Sequence, residues 1–141
     1  MSRPFVHRLR VRYHECDAQG RVFNAHYFAY FDIALTELWR EAFGSYQQMV
    51  RDGYDVVVAD AGARFRGAAE FDDEIEIAMT IDRLGETSMT TDIEVRRDGD
   101  VLVEGRMVHV WVDAESYAKT PIPPEARARL APYAAAESPA S

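Results

Sequence analysis

Hydrophobic and polar residues alternate along the first segment of the chain, residues 5–13. One set of alternate positions is mostly apolar, and the positions between them include Arg8, Arg10 and Arg12. A period of two is typical of a strand that buries one face. We therefore predict that residues 5–13 form the first strand.

The hydrophobic period changes to that of a helix over residues 24–40. Apolar side chains cover most of its circumference, and only a narrow polar stripe remains at Asp32, Thr36, Glu37 and Arg40. A helix of this kind must be covered on most of its sides. Asn24 is an acceptable N-cap residue, so we predict that the helix begins there.

Alternation with a period of two returns after residue 54. It predicts four more strands, over residues 56–65, 75–81, 89–96 and 101–112, with a hairpin turn at Asp98-Gly99. Short helices are predicted over residues 42–51 and 125–133. Because consecutive strands with short connections run antiparallel, the expected fold class is α+β, with a five-stranded antiparallel sheet wrapped around one long buried helix.

The length and charge of the chain narrow its domain structure and its partners. At 141 residues it is long enough for one domain with its own core. We expect that domain over residues 1–133 and a flexible tail over residues 134–141. The net charge is −8 and the pI about 4.9, so no basic field is available for nucleic acid. Lys119 is the only lysine, so arginine would be the main ligand of any phosphate.

Cysteine content and hydropathy argue against a disulfide-bonded, zinc-binding or membrane-spanning protein. Cys16 is the only cysteine, so an intrachain disulfide is impossible and a cysteine-based zinc site is not expected. We predict neither a metal nor a cofactor. We see no signal peptide and no apolar run of membrane-spanning length, so we expect a cytoplasmic protein with no membrane partner.

The polar loop before the long helix carries the candidate chemistry. Its candidate carboxylate is Asp17, and it contains a glycine, Gly20, where a turn requires a positive φ. The helix start that follows offers unpaired N–H groups and a partial positive charge. A carboxylate just upstream of such a start could attack a carbonyl carbon or activate water there.

Each residue of this loop also has a structural interpretation. Asp17 could merely cap the turn, and Cys16 could be the nucleophile only with a base and an electropositive pocket nearby. His14 and His26 are expected to be packed or hydrogen-bonded side chains more often than ligands. Glu15 is expected to be solvated.

The segment from Asp17 to Tyr27 resembles the active-site segment of the 4-hydroxybenzoyl-CoA thioesterase branch of the hotdog-fold acyl-CoA thioesterases. That pattern is an Asp, two residues, a Gly, an aliphatic residue two further on, and an Asn before a Tyr; here these are Asp17, Gly20, Val22, Asn24 and Tyr27. Residues 64–65 and 71–75 resemble a second, weaker segment of the family. Many relatives carry His at the position of Arg21 and Gly at the position of Asp72.

The resemblance implies a hotdog fold and an acyl-CoA thioesterase that hydrolyses a thioester to a free acid and CoA. Asp17 would act as nucleophile or general base, and the backbone N–H of Asn24 would polarise the carbonyl beyond the turn at Gly20. Tyr27 is a candidate for the acyl pocket. Arg64, Arg96 and Arg97 are candidates for the phosphates of CoA.

The resemblance also implies homodimers, or tetramers built from dimers, with active sites between subunits. The exposed edges of a single sheet lead to the same expectation. An acyl-carrier protein could replace CoA as the acyl carrier. Two other functions stay open: a hotdog hydratase or dehydratase, which needs an acid–base pair containing His, and a non-catalytic protein that binds acyl thioesters.

Overall fold

A computed structural model describes residues 4–135 of the chain. Its elements are β1 (Phe5–Arg10), a 3-10 turn (Tyr13–Glu15), α1 (His26–Phe43), α2 (Tyr46–Arg51), β2 (Tyr54–Phe65), β3 (Glu74–Leu84), β4 (Ser88–Arg97), β5 (Asp100–Asp113), α3 (Pro124–Leu130) and a second 3-10 turn (Ala131–Tyr133). The five strands form one antiparallel sheet in the order β1-β3-β4-β5-β2. The predicted α+β class is confirmed.

The long helix α1 packs on one face of the sheet. Its buried side chains are Tyr27, Tyr30, Phe31, Ala34, Leu35, Leu38 and Trp39. They lie on the apolar face of the strands, where Ile75, Ile77, Met79 and Ile81 are fully buried. Gly105 of β5 is the point of close approach, because a Cβ at that position would lie 2.5 Å from Cζ of Phe31.

The boundaries of the first two elements differ from the prediction. β1 ends at Arg10, three residues early, because the chain leaves the sheet and tightens into the turn at Tyr13–Glu15. α1 begins at His26 with Ala25 as the N-cap, and the side chain of Asn24 makes no capping hydrogen bond. The prediction of Asn24 as N-cap is therefore wrong.

The junction between the two helices also moves. α1 continues to Phe43 and ends at Gly44, whose φ of 90° reverses the chain. α2 begins after Ser45, whose Oγ accepts a hydrogen bond from the N–H of Gln48 at 2.9 Å. The predicted stop at Asp52-Gly53 and the predicted turn at Asp98-Gly99 are both present.

The chain after α3 returns to the sheet. Ala134 bridges Ile81 of β3 in parallel, and the N–H of Ala135 donates to the Ile81 carbonyl at 2.7 Å. The described part of the chain thus includes the first two residues of the predicted tail, 134 and 135, and residues 136–141 lie outside it. Within residues 4–135, no helix has the length and apolar character needed to cross a membrane.

Candidate active site

Asp17 begins a tight turn that depends on its own carboxylate. Oδ1 of Asp17 accepts the N–H of Gln19 at 2.8 Å and the N–H of Arg21 at 3.3 Å. The Gly20 N–H donates to the Asp17 carbonyl at 3.0 Å, and Gly20 has the predicted positive φ, 77°. The capping interpretation of Asp17 therefore holds for one oxygen. Oδ2 accepts no hydrogen bond from residues 4–135, and the side chain is exposed.

The helix start beside this turn has unpaired donors. The N–H groups of His26 and Tyr27 donate to the carbonyls of Phe23 and Asn24, at 2.8 and 3.3 Å. The N–H groups of Asn24 and Ala25 donate to no group in the part of the chain that the structure describes. They add to the partial positive charge of the α1 N-terminus. An oxyanion could be bound there without any side chain.

A pocket of about 420 Å³ opens over the turn. Its lining residues are Tyr13, His14, Cys16, Asp17, Ala18, Gly20 and Phe71. The rings of Tyr13 and Phe71 meet edge to face with centroids 5.9 Å apart, and 80% and 53% of their surfaces stay exposed. Asp17 thus faces a cavity that has aromatic walls on one side.

The segment before β3 holds this turn in place. The Val22 N–H donates to the Ala69 carbonyl at 2.9 Å, and the Phe71 N–H donates to the Gly20 carbonyl at 3.0 Å. These bonds fix both the turn and the approach to α1 against residues 66–73. The second segment of the family resemblance therefore lies next to the first one in space.

Glu15 was expected to be solvated, and that expectation is wrong: its surface is 1% exposed. Oε1 accepts the Arg12 N–H and the Tyr30 hydroxyl, both at 2.8 Å, and Oε2 accepts Nε and Nη2 of Arg12 at 3.0 and 2.8 Å. Burial alone raises the pKa of this carboxyl, but the hydrogen bonds from Arg12 and Tyr30 outweigh it and lower the pKa to about 2. The sequence signal was Tyr30, whose phenol needs a partner on a buried helix face.

Two histidines surround the same carboxylate. Nε2 of His26 lies 3.4 Å from Oε2 of Glu15, and Nε2 of His14 lies 3.9 Å from it. Nε2 of His26 is buried and makes no hydrogen bond within residues 4–135. His26 is partly buried against this carboxylate, as the packed interpretation predicted. His14 is exposed and makes no hydrogen bond within residues 4–135, so that interpretation does not describe it.

Cys16 does not have the surroundings of a nucleophile. Its half-buried Sγ lies 3.7 Å from the Arg12 carbonyl, in the direction of a hydrogen bond. Burial raises the pKa of the thiol, and the neighbouring carboxylates of Glu15 and Asp17 raise it further. The thiol therefore stays protonated, and the electropositive pocket that a reactive thiolate requires is missing.

Tyr27 lies in the core of the chain. Its surface is 1% exposed, its ring centroid is 5.7 Å from that of Phe65, and its hydroxyl accepts the Ala69 N–H at 3.0 Å. Burial raises the pKa of this phenol. Tyr27 braces α1 against residues 66–73, and a contact with substrate stays a prediction.

The three candidate arginines do not lie together. Arg97 binds Oδ2 of Asp73 at 2.7 Å and contacts the Ala68 carbonyl, so it fixes the segment behind the turn. Arg96 donates from Nε to Glu94 at 2.8 Å. Arg64 is exposed and forms no ion pair or hydrogen bond through its side chain within residues 4–135.

The sheet register separates Arg64 from the helix side of the molecule. Arg64 of β2 stands opposite Glu104 of β5, which in turn stands opposite Glu94 of β4. Because Gly105 faces α1 and strand residues alternate in direction, these three side chains lie on the opposite face. Of the predicted site residues, Asp17 and Gly20 line the pocket, and Asn24 follows in the same corner of the chain, two residues after the bridge between Cys16 and Val22.

Comparisons with known proteins identify relatives of this chain. A model of the Thioesterase-like superfamily matches residues 11–130. The acyl-CoA thioester hydrolase YbgC of Escherichia coli is 31% identical over 106 residues, which cover 74% of this chain and 79% of the relative. The match to the superfamily model includes the turn at Asp17.

Solved structures extend the agreement to the fold. A hypothetical protein from Aquifex aeolicus is 28% identical with a TM-score of 0.85, covering 90% of this chain and 99% of that one. A gentisyl-coenzyme A thioesterase is 25% identical with a TM-score of 0.80, covering 89% and 98%. The predicted hotdog fold is confirmed. The chain therefore belongs to the Thioesterase-like superfamily and is a thioester hydrolase.

Proposed function

We propose that the protein hydrolyses an acyl-CoA to a free acid and CoA, with Asp17 as nucleophile or general base and the start of α1 as the oxyanion site. One observation carries the proposal. Asp17 lines a 420 Å³ pocket and its Oδ2 accepts no hydrogen bond within residues 4–135, and in the same described part the N–H groups of Asn24 and Ala25 at the nearby helix start have no acceptor. YbgC, a relative at 31% identity, is named an acyl-CoA thioester hydrolase.

The chemistry needs little beyond these groups. As general base, Asp17 takes a proton from water while the water oxygen bonds to the thioester carbon. As nucleophile, its oxygen bonds to that carbon, and water then hydrolyses the resulting anhydride. In both routes the Asn24 N–H donates to the carbonyl oxygen as it becomes negative, and the carbon–sulfur bond breaks to release CoA as a thiolate. One such donor contributes about 3–4 kcal/mol in well-studied hydrolases.

The residues that line the pocket indicate which acyl groups to test. Exposed rings of Tyr13 and Phe71 flank Asp17, and flat aromatic groups stack or meet edge to face at such surfaces. The related gentisyl-coenzyme A thioesterase is named for an aromatic substrate. An aromatic acyl-CoA therefore belongs in any substrate panel beside aliphatic ones. An acyl-carrier protein stays the alternative carrier.

We further propose that the active form is at least a homodimer. β2 is an edge strand, and Val57 and Val58 expose 41% and 53% of their surfaces there. An exposed apolar edge strand is a template for pairing with another chain. Pairing of β2 with its copy would also cover Phe65, which is 48% exposed beside Tyr27. An active monomer in light scattering would contradict this arrangement.

Two other functions make different predictions. A hotdog hydratase needs an acid–base pair containing His, and the contact between His26 and Glu15 favours it. A hydratase would change the ultraviolet absorbance of an enoyl-CoA without releasing thiol. A non-catalytic binder would retain acyl-CoA unchanged.

Asp17→Asn tests the proposal. An Asn side chain can still accept the N–H groups of Gln19 and Arg21, so the turn and the fold are expected to persist. General-base catalysis contributes about 10²–10⁴-fold, so kcat should fall by that order in a thiol-release assay.

Asp113→Asn is the matched control. Asp113, the last residue of β5, also caps a turn: its Oδ1 accepts the N–H groups of Glu115 and Ser116 at 3.0 and 2.9 Å. Its kcat should equal that of the parent protein. If Asp17→Asn retained near-normal kcat, or if Cys16→Ser were the more damaging change, the proposed mechanism would be wrong.

A further inference from the structure

A buried carboxylate lies two residues before Asp17, outside the proposed chemistry. Glu15 is 1% exposed and accepts four hydrogen bonds, three from Arg12 and one from the Tyr30 hydroxyl. Burying a charge is costly unless it is fully paired, and here both oxygens are paired. Such a group defines geometry more strictly than an apolar contact, because each bond has a preferred direction.

The bonds of Glu15 connect the two halves of the candidate site. Its carbonyl accepts the Phe23 N–H at 3.1 Å, one residue before Asn24. Its carboxylate accepts the hydroxyl of Tyr30, which lies in the second turn of α1. It also lies 3.4 Å from Nε2 of His26, the first residue of α1. The segment that leads into Asp17 is therefore tied to the helix start on both sides of Asn24.

The groups around Glu15 keep this connection intact. The guanidinium of Arg12 lies 2.8 Å from Oε2, and Nε2 of His14 and of His26 lies 3.9 and 3.4 Å from the same oxygen. With its pKa lowered to about 2, Glu15 stays ionised near neutral pH. The Tyr30 hydroxyl has a pKa raised by burial first and by Glu15 second, so it stays protonated and donates.

We propose that Glu15 is a positioning residue for hydrolysis: its buried carboxylate, through Tyr30 and Arg12, sets the distance between the Asp17 carboxylate and the N–H groups at the start of α1. This rests on the function proposed above, since it concerns the same two groups. Attack on a carbonyl requires the nucleophile and the oxyanion donors to be aligned together, and a displacement of about 1 Å can cost about 10²-fold in rate. Glu15 itself does not touch the substrate.

Glu15→Gln and Tyr30→Phe test this inference. Glu15→Gln keeps the shape and one acceptor oxygen but removes the charge, and we expect kcat to fall by about 10²-fold while KM changes less than about two-fold. Tyr30→Phe removes a single bond, and we expect a fall of about 10-fold. The double variant should be no worse than Glu15→Gln alone, because both changes act through one carboxylate.

The chain contains a matched control for lost stability. The Tyr46 hydroxyl donates to Oδ1 of the buried Asp55 at 2.8 Å, between α2 and the start of β2, at the other end of α1. Tyr46→Phe removes the same kind of bond. It should lower the melting temperature about as much as Tyr30→Phe and leave kcat unchanged.

The outcomes separate the two proposals. If Asp17→Asn keeps its kcat, the proposed role of Asp17 fails, and the positioning role that rests on it fails too. If Asp17→Asn loses activity but folded Glu15→Gln stays within two-fold of the parent kcat, only the positioning role is overturned. Should Glu15→Gln not fold, Tyr30→Phe decides: a kcat equal to that of Tyr46→Phe overturns the role, and a fall confined to Tyr30→Phe supports it.

Discussion

The contact between Gly105 and Phe31 predicts how tightly the helix must approach the sheet. In Gly105→Ala the new Cβ would lie 2.5 Å from Cζ and 2.7 Å from Cε2 of Phe31. Carbon atoms pack at about 3.5–4.0 Å, so the ring must move by about 1 Å. Phe31 is fully buried and its neighbours are close-packed, so little room exists for that movement.

Overpacking of this kind costs about 1–3 kcal/mol. The loss of backbone freedom in the unfolded chain returns about 0.4–1 kcal/mol when Gly becomes Ala. We therefore expect a net loss of about 1–2 kcal/mol in the free energy of unfolding, or about 3–8 °C in melting temperature.

Urea denaturation and calorimetry at one protein concentration measure this loss. Gly62→Ala is the control, because a Cβ there meets no atom within 4 Å, so only the unfolded-chain effect remains and stability should rise by about 0.4–1 kcal/mol. Phe31→Leu should relieve the clash, so the double variant with Gly105→Ala should lose less than the sum of the two single variants. A Gly105→Ala protein as stable as Gly62→Ala would refute the close approach.

Two further predictions concern acid stability and the nucleotide. Burial lowers the pKa of His109 from 6.5 to about 4, so between these pH values the unfolded chain binds a proton that the folded chain does not. The free energy of unfolding should therefore fall by about 2–3 kcal/mol between pH 7 and pH 4.5. Urea titrations at several pH values should show a smaller pH dependence for His109→Gln. An equal pH dependence in both proteins would contradict this. Arg96 and Arg97 are already bound to carboxylates, which leaves Arg64 as the candidate for the CoA phosphates. Arg64→Ala should therefore raise KM for acyl-CoA with little change in kcat. An unchanged KM would dismiss Arg64.

Local patterns predicted most of the architecture. Alternation with a period of two located all five strands to within three residues, because one face of each strand is buried and the other is not. The near-continuous apolar surface of residues 24–40 predicted a covered helix, and the turn at Asp98-Gly99 follows from two residues that tolerate positive φ. The turn carrying Asp17 and Gly20 was predicted in the same way.

The failures occurred where a residue's partner is distant in sequence or where two local alternatives compete. Asn24 is a good N-cap by type, yet α1 starts at His26, and Asn24 contributes its backbone N–H and not its side chain to the corner. No local pattern predicts the ion pair between Arg97 and Asp73, because only the packing of residues 66–73 against β4 brings the two side chains together.

The sequence by itself determined the order of the elements, the α+β class and the corner that holds Asp17, because each of these depends on periodicity or on residues close together in the chain. Tertiary structure alone decided that Glu15 is buried, since its acceptor role requires Tyr30, fifteen residues away, to arrive on the face of α1 that meets the turn. It also decided that Gly105 must lack a side chain, because Phe31 reaches it only when α1 lies across the sheet. Periodicity shows which face of an element is buried, but the group that faces it depends on how the elements pack.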